Sequence, residues 1–218
     1  MKKNWIAGAL LAVVAVTGAH AADNMDPKLH TAAQRATDRG LHFLRENQAE
    51  DGSYAKSVGI TGLVLRGFLD SYRGYNESDG PFITRSVDFL VKSQAADGAM
   101  SESPMNRSYN NSLALAAIAQ LKNPKYKDVI AKSQDFLKKH QTDEGEGYDT
   151  SHRYYGGIGY GGDERPDMTN TSVALTALAA SSVDPKDPVW AKAQKFVSRA
   201  QNRTESNDQK GWVGNDGG

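Results

Sequence analysis

Four copies of one short pattern constrain this chain more than anything else in it. An aromatic residue, an aliphatic one, three variable positions and a glutamine recur as Phe43-Leu44 to Gln48, Phe89-Leu90 to Gln94, Phe136-Leu137 to Gln141 and Phe196-Val197 to Gln201. A glycine follows each glutamine, at Gly52, Gly98, Gly145 and Gly211. The glutamines stand 46, 47 and 60 residues apart in a chain of 218 residues. A period near 47 is long enough for two helices and two loops, so repetition sets the fold here.

Each repeat opens with an amphipathic helix and continues with an apolar one. In the third copy Asn123 is a good N-cap and Pro124 suits a first helical turn. Tyr126, Val129, Ile130, Ser133, Phe136, Leu137 and His140 then fall on one face at helical spacing. The fourth copy does the same with Asp187, Pro188, Val189, Ala193, Phe196, Val197 and Ala200. The second helices, expected over residues 60–69, 112–121 and 171–180, are mostly Ala, Leu, Val and Ile with few charges. A helix apolar nearly all round is buried. The alternation therefore predicts an all-α fold in two concentric layers, charged helices outside and apolar helices inside.

On these residues the chain resembles the squalene-cyclase and prenyltransferase superfamily, from about Thr31 onward. The repeated aromatic-Leu-x-x-x-Gln-x-x-x-Gly pattern is similar to that family's glutamine–tryptophan repeat, with the tryptophan kept only as Trp212. The resemblance implies an α/α toroid. It implies further that Gln48, Gln94, Gln141 and Gln201 tie the end of an outer helix to the start of the next inner one. A closed toroid in that family takes about five or six helix pairs. Here three pairs and one outer helix are legible, so the toroid is expected to be incomplete at its C-terminus, with self-association or missing C-terminal repeats as the corollary.

A second likeness bears on chemistry. Squalene–hopene cyclases carry Asp-x-Asp-Asp-Thr-Ala at the start of an inner helix, where the middle aspartate protonates the substrate. Residues 166–175 are similar in position, but only Asp167 and Thr171 match. Thr169 stands at the protonating position and Asn170 beside it, and the clustered carboxylates that would hold one acid neutral are missing. Capping of the helix by Thr169 or Asn170 accounts for the same residues without catalysis. The second repeat agrees, since Asn110-Asn111-Ser112 stands at the equivalent place with no acid.

Residues 1–21 have the three parts of a secretory signal: Lys2 and Lys3, an apolar run over residues 6–16, and Ala19-His20-Ala21 as a cleavage site. The mature domain is expected over residues 22–218, secreted or periplasmic. Export argues against ATP-, NAD- or CoA-dependent chemistry, and no cofactor is expected. The chain has no cysteine, which excludes a thiol nucleophile, a thioester and the zinc site of protein prenyltransferases. His30, His42, His140 and His152 are scattered without metal-ligand spacing, so no metal is expected. Twenty-six basic residues balance 26 acidic ones, which gives nucleic acid no long-range field to follow.

Repetition leaves one segment unexplained. Residues 144–167 make the third spacing longer and hold seven glycines and four of the nine tyrosines. Long loops in compact domains are functional or disordered. Tyr148, Tyr154, Tyr155 and Tyr160 with His152 can form an aromatic rim over the open end of the toroid, and a loop packed on the barrel end by its tyrosines is the alternative. The candidate ligand-binding set is Tyr154, Tyr155, Tyr160, His152, Asp163, Arg165, Asp167 and Asn170. The expected ligand is apolar or extended, an isoprenoid or a glycan, bound by a module without an intact protonation motif. Two enzymatic readings stand beside it: a terpene cyclase with Asp167 as its acid, and a polysaccharide-active enzyme using Asp163, Glu164 or Asp167.

Overall fold

A computed structural model describes residues 26–161, 165–211 and 213–216, and the signal-like segment, Asp163, Glu164 and Trp212 lie outside these. The chain divides into two units at residues 39 and 40. The described part of the first unit is helical, the opening of α1 (Pro27–Glu46), where the Asp26 carboxylate accepts the Lys28 amide.

The second unit, from Gly40 onward, holds the repeats. Its inner helices are α2 (Val58–Asp70), α4 (Arg107–Gln120) and α6 (Met168–Ala180), and its outer helices are the end of α1, α3 (Pro81–Lys92), α5 (Lys127–Lys139) and α7 (Pro188–Ala200). Inner helices pack side by side, α2 on α4 and α4 on α6, while α3 covers α2, α5 covers α4 and α7 covers α6. This is the two-layered α/α hairpin arrangement of a toroid fold. Among the described residues there is no strand, only isolated bridges such as Gln94–Met100 and Gln141–Ile158.

The sequence explains each layer. α4 has neighbours on every side, and residues 110–119 are all buried, which is why they are Ala, Leu, Ile, Ser and Asn. The more deeply buried of its two amides, Asn111, is bonded at both ends: Oδ1 accepts the Met100 amide and Nδ2 donates to the Ser133 carbonyl. α7 starts where proline and a cap coincide, the Asp187 carboxylate accepting the Val189 amide just after Pro188. Asn123 caps a short 3-10 turn, Pro124–Tyr126, which leads into α5.

The repeat glutamines do something other than the family resemblance implies. Gln48 Nε2 donates to the Phe82 carbonyl of α3, Gln94 Nε2 to Val129 of α5, and Gln141 Nε2 to Val189 of α7, at 2.9, 2.9 and 3.0 Å. Each thus joins the end of one outer helix to the start of the next outer helix. Each also donates to the carbonyl of a turn glycine, Gly52, Gly98 or Gly156. Gly156, and not Gly145, is therefore the glycine of the third repeat. The insertion falls between glutamine and glycine, and the turn is still closed by the Gly156 amide bonding to the Thr142 carbonyl.

Candidate functional site

The third repeat's loop and α7 enclose a cleft of about 390 Å³, lined by Arg153, Tyr154, Arg165, Pro166, Asp167, Phe196, Arg199 and Ala200. It lies at the N-terminus of α6, beside the C-terminal end of α7. Phe196 is there because it is the repeat's aromatic residue, and Pro166 because Gly157 packs against its ring.

Arg199 fixes the far wall. It is 2% exposed, a depth at which an arginine requires partners. Its guanidinium donates to the carbonyls of Thr150 and His152 and forms a two-pronged pair with Asp208 at 2.6 and 2.7 Å. The Arg199 hydrogen bonds hold the Asp208 carboxyl down at about 2. At the other side of the loop, Lys192 bonds Asp143 and Glu144. That bond, with a second from the Tyr155 hydroxyl, lowers Glu144 to about 2.

The expected site residues are only partly brought together. Tyr154, Arg165 and Asp167 share the cleft. Tyr155 does not join the rim: it is buried, and its hydroxyl donates to Glu144. Tyr160 sits beside Tyr109, and its carbonyl accepts the Ser108 amide at the start of α4. His152 packs between Tyr148 and Tyr154 and presents its backbone carbonyl to Arg199. Asn170 is buried, and Asp163 falls outside the described residues.

Asp167 itself is the N-cap of α6, in place of the Thr169 or Asn170 cap read from sequence. Its two oxygens accept the Asn170 amide and the Asn170 side-chain NH₂ at 2.8 and 2.6 Å. Both oxygens are thus occupied as acceptors by one neighbouring residue. Arg153, Pro166, Phe196, Arg199 and Ala200 line the cleft without having been expected there. Phe196 was legible only as a repeat position, and nothing in the sequence of an outer helix separates a buried arginine such as Arg199 from a solvated one.

Residues 55–216 match the family model of the squalene-hopene cyclase C-terminal domain. The chain belongs to that family. No curated protein and no solved structure gave a match. Membership accounts for the helical hairpins, and at the start of α6 Asp167 is the cap and Thr169 is exposed. Among the described residues no group of three His, Asp or Glu side chains could hold a metal, and no helix is long and apolar enough to cross a membrane.

Proposed function

We propose that this cyclase-family domain is an exported binding module whose cleft at the start of α6 takes an extended apolar ligand, an isoprenoid, without protonating it. The observation that carries the reading is the pairing of an apolar floor with an engaged acid. Phe196, Pro166 and the ring of Tyr154 supply the floor, while Asp167 spends both oxygens on Asn170. Alkene protonation needs an acid oxygen free to point its proton at the alkene, and here both oxygens of Asp167 accept hydrogen bonds within the cap. Arg165 is exposed and makes no ion pair among the described residues, and Arg153 stands near it, so an anionic end group such as a phosphate is favoured over a neutral one. Export rests on residues 1–21, and mature protein recovered from the periplasm or medium should begin at Ala22 by intact-mass analysis.

The direct test titrates the mature protein with a fluorescent polyprenyl phosphate and with neutral oligosaccharides. Saturable binding of the polyprenyl phosphate that weakens about tenfold in Arg165→Glu supports the reading. Binding of the oligosaccharides alone would replace it with the glycan alternative. Asp167→Asn should cost about 0.5–1 kcal/mol of stability through the weakened cap, measured by thermal unfolding, and leave polyprenyl phosphate affinity within about twofold. A cyclised product from squalene, seen by gas chromatography with wild type and absent with Asp167→Asn, would promote the cyclase.

A further inference from the structure

A shared bond sets the three inner helices in one register. The side chains of Thr61, Asn111 and Thr171 accept the amides of Tyr54, Met100 and Ile158, each at 2.9 Å. In that register every inner helix meets the next through a flank of small residues. Leu113 of α4 lies over Gly59 and Gly62 of α2, so closely that a Cβ on Gly62 would stand 2.9 Å from the Leu113 carbonyl. One step along, α6 places Asn170, Val173 and Ala177 where α4 has Asn110, Leu113 and Ala117, and the facing Ser112 and Ala116 of α4 are buried.

Each end of the array carries half of this interface uncovered. On α2, Ile60 and Leu63 stand at the positions of Asn110 and Leu113, yet they are 46% and 48% exposed against 5% and 6%. On α6, Thr169 and Ser172 stand at the positions of Gly59 and Gly62 and are exposed. The outer layer shows the same two halves. Phe43 is 62% exposed where Phe136 and Phe196 are 1% and 8%. The side chain of Gln201 has no hydrogen-bond partner among the described residues, whereas the three earlier glutamines each donate to the next outer helix.

We propose that a second copy of this chain covers these faces head to tail, α1 and α2 of one copy packing beside α7 and α6 of another. Ile60 and Leu63 then lie on Thr169 and Ser172 as Leu113 lies on Gly62, and Gln201 donates to a carbonyl of the second copy's α1. The occupant is a second copy because the α2 face calls for two things together: a small-residue helix flank and a free outer-layer glutamine. Within the described residues that combination stands uncovered at α6 and α7. The interface is heterologous, so the two faces are different surfaces and can be blocked separately.

The experiment uses that difference. The mature chain is compared by sedimentation velocity with a variant blocked on the first face, Phe43→Lys with Leu63→Asp, and with one blocked on the second, Ser172→Arg. The three substituted positions, Phe43, Leu63 and Ser172, are exposed, and circular dichroism with thermal unfolding verifies that each variant is folded. Wild type should associate, as a closed pair or an open chain, each variant alone should be monomeric, and an equimolar mixture of the two should give a one-to-one heterodimer through its single intact pair of faces. Monomeric wild type at about 100 μM, a mixture that stays monomeric, or association that survives either block overturns the proposal. Should Phe43→Lys with Leu63→Asp fail to fold, Phe43→Lys alone serves, and unchanged association in it counts against the proposal. Ligand binding at the cleft is not read by this assay, so the two proposals fail independently.

Discussion

Gly156→Ala is expected to destabilise the protein by roughly 3–5 kcal/mol, a large part of what a domain of this size has to lose. Two effects add. Gly156 has φ +89°, a left-handed conformation that a side chain adopts only under strain, and a Cβ there would stand well under 3.0 Å from the Lys192 carbonyl oxygen. Neither partner can yield cheaply. The Lys192 carbonyl is part of the backbone of α7, and the Gly156 carbonyl is held by the buried Gln141 amide at 2.9 Å. Gly52 and Gly98 repeat the geometry against the Arg85 and Lys132 carbonyls with φ of +86° and +96°, so the same substitution should be severe at all three turns. Gly211 is the control, because nothing lies within 4 Å of its Cβ position. Urea unfolding of the four alanine variants measures the difference. Equal, small losses at all four would show that the turn glycines do not carry the stacking of outer helices.

Those turns also explain what was legible beforehand. The glutamine and glycine recur in sequence because one backbone contact recurs in space, and the apolar helices are uniform because α4 is enclosed on both flanks. The acceptor of each glutamine was not legible, since the outer-helix carbonyls of Phe82, Val129 and Val189 belong to main chain, which any residue supplies equally. Tyr155 was misplaced for a related reason: tyrosine suits a wet rim and a buried hydrogen bond alike, and only the position of Glu144 decides between them. The site was half visible. Asp167, Arg165 and Tyr154 carry chemistry in their names, whereas Phe196 lines the cleft through its place in the repeat.

Arg199→Met should loosen the cleft wall, lowering stability by roughly 2–3 kcal/mol and weakening ligand binding with it. Methionine keeps much of the buried volume but leaves the Thr150 and His152 carbonyls without their donors and parts Asp208 from its bidentate partner. The loop concerned continues directly into Arg153 and Tyr154, which line the cleft. Acid should reproduce part of the effect in wild type. Asp208 is held at about 2, below its unfolded value near 4, so its contribution is present above about pH 4 and is lost as pH falls toward 2. Glu144, lowered to about 2 by Lys192 and Tyr155, loses its contribution in the same window. It ties the loop to Lys192 of α7 directly, whereas Asp208 acts by holding the Arg199 guanidinium that bonds the Thr150 and His152 carbonyls. Hydrogen-exchange protection factors at residues 149–157, which divide out the intrinsic pH dependence of exchange, should therefore fall from pH 5 to pH 3 in wild type, while in Arg199→Met they should already be low at pH 5 and change less. Protection at pH 5 equal to wild type in the variant would mean that the loop is held by its tyrosines and glycines, and Arg199 would lose its place as the residue that shapes the cleft.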